Sequence, residues 1–147
     1  MLIKLNRVNL FVFSILIILS LVSNKPKDIE LPEAVKKTFL KLFPNAKEVK
    51  WEGDANSYYE IGFINQGADN TARILPDGSV KEIETTVKVS EVPLRIVKAL
   101  QKKFPKSQIT FAVKISRPDN STVYDLEINT GLELLDITMS TLGYEVY

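Results

Sequence analysis

The chain contains neither cysteine nor histidine. Without thiols there is no disulfide, no thiolate nucleophile and no thiolate-bound metal. Without imidazole the commonest general base and the commonest transition-metal ligand are missing. An enzyme of this sequence would work with carboxylates, lysine, tyrosine, serine and threonine alone. No EF-hand loop is present. Asp54, Asp69, Asp77 and Asp119 each stand beside Gly, Asn or Pro, where aspartate is favoured for local turn bonding rather than calcium ligation. Glu60, Glu82, Glu84 and Asp125 are scattered acids and do not specify a facing pair about 5–10 Å apart, as glycoside hydrolysis requires. A charge excess is also lacking: 19 basic residues stand against 18 acidic ones. Nucleic-acid binding, driven by phosphate neutralisation, is disfavoured. The expectation is a non-enzyme with no catalytic residue, no cofactor and no metal.

A long apolar run is present, at the N-terminus. Lys4 and Arg7 bracket the start of "VNLFVFSILIILSLV", residues 8–22. Its length suits the core of an export signal and falls short of the roughly 20 apolar residues of a membrane span. Residues 1–23 are predicted to be a signal peptide cut after Ser23, although Leu21 is larger than the usual residue two positions before a cleavage site. An uncleaved anchor is the alternative. No cysteine follows, which excludes lipid-modified cleavage. Cleavage removes two bases and no acid, leaving 17 basic and 18 acidic residues.

The remainder carries an internal echo. "LKLFPNAKEVKW" at 40–51 is answered by "QKKFPKSQITFA" at 101–112. Pro32 and Pro93 suit the first turn of a helix, where a missing N–H is harmless. Ser90 is a candidate N-cap. Pro44 and Pro105 bias Phe43 and Phe104 away from helical geometry and should stop each helix. Between the prolines, Leu31, Ala34, Val35, Thr38, Phe39 and Leu42 share a helical face, as do Ile96, Ala99, Leu100 and Phe104. Leu40 and Leu94 break the stripe and should be exposed. The period then becomes two: Tyr59, Ile61 and Phe63 alternate with Tyr58, Glu60 and Gly62, and Tyr124, Leu126 and Ile128 with Asp125 and Glu127. Half-buried antiparallel strands are expected. Gly78 of "PDG" aligns with Gly143 of "TLG". One register stays open: Val49 and Trp51 have the opposite parity to Ile109, Phe111, Val113 and Ile115, and a bulge or a one-residue gap would reconcile them.

The predicted fold is α+β, as two tandem repeats. Each has one helix followed by about four antiparallel strands, over residues 28–88 and 89–147, with the two sheets associating and the helices on one face. A unit of roughly 60 residues is marginal alone.

The succession "LPEAVKKTFLKLFPNAKEVKW", "YYEIGF", "PDGSV" and "SEVPLRIVKALQKKFP" resembles the PepSY-like, β-lactamase-inhibitor-like family of exported bacterial proteins. The second copy departs from the pattern at Leu94 and Arg95 and at the turn Thr141-Leu142-Gly143. The resemblance implies an antiparallel sheet with helices on one side, a periplasmic or secreted location, and a binding or inhibitory role. It carries over no catalytic residues.

Candidate partner-binding residues are Trp51, as an aromatic anchor, and Tyr58, Glu60, Ile64, Arg73 and Leu75 on the strand face opposite the inferred core, with Asp125, Glu127, Asp136 and Thr138 continuing it. The bland alternative for each is an ordinary sheet position. The helices present Arg95, Lys98, Lys102, Lys103 and Lys106 outward, so the molecule should be electrically two-faced. The leading functional expectation is an exported module that engages a protein or peptide of the cell envelope through its open sheet face, with no stable membrane insertion after cleavage. The rival is an envelope structural or carrier protein with a small apolar ligand.

Overall fold

The computed structural model describes residues 31–54 and 57–147; the predicted signal, 1–23, lies outside them. The order is α1 (Glu33–Leu42), β1 (Lys47–Asp54), β2 (Tyr58–Asn65), β3 (Ala68–Ile74), β4 (Val80–Thr86), α2 (Leu94–Lys103), β5 (Gln108–Ser116), β6 (Thr122–Asn129) and β7 (Leu134–Ser140), with a short 3-10 turn, Val89–Glu91, before α2. All seven strands form one antiparallel sheet in sequence order.

This corrects the expectation of two four-stranded repeats. β4 pairs with β5 through Ile83↔Ser116 to Thr86↔Val113, which fuses the two predicted sheets. The join hides two edges that would otherwise present unpaired backbone groups. The second half also has three strands rather than four. After the turn at Gly143, the returning residues make a single bridge, Met139↔Glu145. The α+β class stands, as one continuous sheet with two helices.

Each helix begins where its proline carbonyl accepts the first bonds, from Val35 and Lys36 to Pro32 and from Ile96 and Val97 to Pro93. The prolines thus occupy the cap position rather than the first turn. Ser90 lies in the 3-10 turn and does not cap α2. Each helix stops before its Phe-Pro corner, where the N–H of Phe43 bonds Phe39 and that of Phe104 bonds Leu100. Val35 and Phe39 are buried against Tyr59, Ile61, Phe63, Ala72 and Ile74. Ile96 and Leu100 are buried against Ala112, Tyr124, Leu126, Ile128, Ile137 and Met139. Cross-strand partners share a face, and the file Asn70, Thr85, Lys114, Tyr124, Met139 runs across five strands. Both helices therefore pack on the same side. Leu40 and Leu94 are exposed, at 62% and 65%. Leu42 departs from the predicted stripe and is exposed; the Phe43 ring fills that corner instead, 4.5 Å from Phe63.

The open register resolves without a gap. β1 has a bulge between Lys47 and Lys50, with Glu48 at φ 51°, and β5 has one between Ile109 and Phe111. Beyond the bulges, Lys50 pairs with Gly62 and Phe111 with Glu127. A bulge inserts one residue and reverses the side-chain parity after it. Ile109 therefore faces α2, whereas Phe111, Val113 and Ile115 point to the other side of the sheet.

Candidate functional site

The face without helices is built from the alternate residues of every strand. In its first half, Glu60, Arg73 and Glu82 form one cross-strand row. The Arg73 guanidinium donates to Glu60 at 3.0 Å and Glu82 at 2.7 Å, and it also bonds Glu84. Arg117, from the β5–β6 turn, donates to the second oxygen of Glu82 at 3.2 Å. β4 carries a bulge where Arg73↔Glu82 gives way to Ile74↔Val80. The inserted residue, Lys81, places its ammonium 4.2 Å from the centre of the Tyr58 ring.

The network sets its own electrostatics. Burial would lower the Arg73 pKa, but the charge of Glu84 and the bonds to Glu82 and Glu60 hold it above the usual range. Burial pushes the Glu82 carboxyl up, yet bonding and charge from Arg73 and Arg117 leave it below the ordinary glutamate value. Glu84 ends above it, because burial and the neighbouring Glu82 and Glu60 outweigh Arg73.

In the second half the floor is apolar. Val113, Ile115 and Val123 are buried and pack with Phe111. Next to them, Asp125 accepts a hydrogen bond from Thr138 at 2.6 Å, and burial raises its pKa against that bond. Glu127 and Asp136 are direct cross-strand partners. Burial, with the charges of Glu127 and Asp125, raises the Asp136 pKa. A concavity of about 310 Å³ opens where the halves meet, with Ile115 and Val123 beneath, Tyr58 and Tyr147 at the rim, and Glu84 and Asp125 on its walls.

The predicted residues are not all brought together. Tyr58, Glu60 and Arg73 share the concave face. Ile64 shares it too, but pairs with Asp69 at the far end of β2, about 13 Å from Glu60 at ~3.3 Å per residue. Leu75 is half-buried just past β3 and donates its N–H to Ser79. Trp51 pairs with Ile61 on the helix side, where it meets Phe39 edge-on at 5.3 Å. It is separated from Tyr58 by the sheet itself. Sequence reasoning did not assign Phe111, Val113, Ile115 and Val123 to this face; the odd parity of "ITFAVKI" was the available signal. Among the described residues no acidic group is arranged to hold a metal ion, and no helix is long and apolar enough to cross a membrane.

A helix-backed antiparallel sheet with one open, charge-lined face is an α+β architecture. The chain belongs to the family described as "Putative beta-lactamase-inhibitor-like, PepSY-like", whose profile matches residues 57–141. Three solved structures share the fold. A DUF2874 family protein from Bacteroides uniformis superposes with TM-score 0.72 at 19% identity, covering 80% of this chain and 88% of its own. A protein from Bacteroides eggerthii, described as "putative periplasmic", gives 0.71 at 19%, covering 80% and 87%. A BLIP-like protein from Bacteroides fragilis gives 0.68 at 20%, covering 81% and 85%. No curated protein matches the sequence.

Proposed function

We propose that the protein is an exported, non-enzymatic binding module, inhibitor-like in kind, that engages a protein or peptide of the cell envelope through its open sheet face. One observation carries this. Both helices lie on one side of a seven-stranded sheet, and among the described residues no further layer covers the other. That side nevertheless holds buried charges and an apolar cluster of its own, features a merely solvated face has no need of. Family membership supports the inhibitor-like class, and the periplasmic description of the Bacteroides eggerthii relative supports export. The predicted signal at 1–23 gives the route. A small apolar ligand suits the concavity less well, because Arg73, Lys81, Glu82, Glu84 and Asp125 line it.

The test is capture from an envelope extract by three immobilised proteins: wild type, Tyr58→Ala with Lys81→Glu on the open face, and Lys37→Glu with Lys98→Glu on the helices. The open-face pair should lose a partner that the helix pair retains. Loss through the helix pair alone would refute the assignment.

A further inference from the structure

The concavity on the open face has a chemical preference written in its charges. Its cations are already engaged. Arg73 serves Glu60, Glu82 and Glu84, Arg117 serves Glu82, and the Lys81 ammonium rests on the Tyr58 ring. Asp125 differs. Among the described residues it makes no ion pair, and its hydrogen bond comes from the neutral Thr138 hydroxyl. Glu127 and Asp136 continue the acidic file along β6 and β7, set directly opposite each other, an arrangement of like charges that costs stability. They too lack an ion-pair partner among the described residues.

The walls suit the stem of a long cation. Ile115 and Val123 provide an apolar floor, along which the methylenes of arginine or lysine can lie while the head stays polar. Tyr58 and Tyr147 stand at the rim. Aromatic faces attract cations, and Lys81 over Tyr58 shows that this ring already holds one.

The geometry points to the concavity as a receptor for an arginine or lysine side chain on an extended segment of the partner, with Asp125 as its counter-carboxylate and Glu127 and Asp136 receiving further basic residues along the strand. This rests on the open face being the docking surface and names what docks there. A guanidinium on Asp125 makes the charge-assisted pair that the described residues leave unmade.

Three capped peptides of one frame, Val-Arg-Val-Arg-Val, its citrulline version and its glutamate version, are titrated into isotopically labelled protein while backbone amide shifts are followed. The arginine peptide should saturate with shifts centred on Ile115, Val123, Asp125 and Thr138, bind about tenfold tighter than the citrulline peptide, and exceed the glutamate peptide further. Asp125→Asn, isosteric and able to keep the Thr138 bond, should remove that advantage with an otherwise unchanged spectrum. Tyr58→Ala, at the half-buried ring that carries Lys81, should weaken the arginine peptide as a second variant. Equal binding of arginine and citrulline peptides, unchanged affinity in Asp125→Asn, or shifts confined to the helices overturns the inference. If all three peptides bind the open face alike, the docking face survives and the basic specificity falls. If the envelope partner of wild type is lost in Tyr58→Ala with Lys81→Glu but kept in Asp125→Asn, the division is the same.

Discussion

The two halves of the open face share a few backbone devices and differ in what they present. β1 and β5 each bulge shortly after a Phe-Pro corner, and Gly78 and Gly143 each set a turn against a helix, so close that a Cβ there would lie 2.9 Å from the carbonyl oxygens of Ala34 and Arg95. On the helix side both halves bury aliphatic and aromatic residues. On the open side the first half carries the Arg73 carboxylate network, and the second carries Phe111, Val113, Ile115 and Val123 beside Asp125, Glu127 and Asp136, which make no ion pair among the described residues. Packing against a helix constrains the core side in the same way in both halves. The open side is free of that constraint, and it is there that the two halves diverge.

The largest expected effect breaks the charged half. Arg73→Met leaves Glu84 without its cation and Glu82 with Arg117 alone, and should cost about 3–5 kcal/mol at neutral pH. The loss should shrink in acid, because uncompensated buried carboxylates take up protons more readily folded than unfolded. Urea unfolding at pH 7 and pH 4 measures both. Next comes the apolar half: Ile115→Ala should cost ~2–4 kcal/mol, as expected of a true core position. A loss below about 1 kcal/mol would show that the open-face cluster is incidental.

The shared frame is tested by Gly78→Ala and Gly143→Ala. At φ 87° and 86°, with a helix carbonyl 2.9 Å from the added carbon, each should cost about 1–3 kcal/mol. Thermal unfolding of the two variants should agree within about 1 kcal/mol if the turns do equal work.

The smallest effect has the opposite sign. Burial raises the Asp125 pKa, so its charged form weakens the fold above that raised value, and the penalty vanishes below the ordinary aspartate range. Asp125→Asn should therefore stabilise by less than about 1 kcal/mol at pH 7, allowing for solvent screening, and by nothing near pH 3. Destabilisation at pH 7 would give Asp125 a structural role and remove the reason to regard it as held for a ligand.

Much of the frame was legible in the residues. The corners at Phe43-Pro44 and Phe104-Pro105, the helix faces of Val35, Phe39, Ile96 and Leu100, and the alternation in β2 and β6 follow from local rules of spacing and proline geometry. The fusion into one sheet was not legible, because pairing of Glu84 with Ile115 joins residues far apart through backbone groups that carry no sequence signature. The place of Trp51 stayed open for a related reason. A bulge costs one residue and moves every later side chain across the sheet, and neither Glu48 nor Thr110 announces it. The candidate face was partly legible in Tyr58, Glu60 and Arg73. Its apolar half was not, since "ITFAVKI" reads as core until the bulge reverses it.

Tyr58 and Trp51 lie on opposite sides of the same sheet, and their oxidation rates report the occupied face most directly. Hydroxyl-radical footprinting of the captured complex should protect Tyr58 and Tyr147 while Trp51 and Leu94 keep the rates of the free protein. Protection of Trp51 and Leu94 with Tyr58 unchanged would place the partner on the helices and contradict the open-face account.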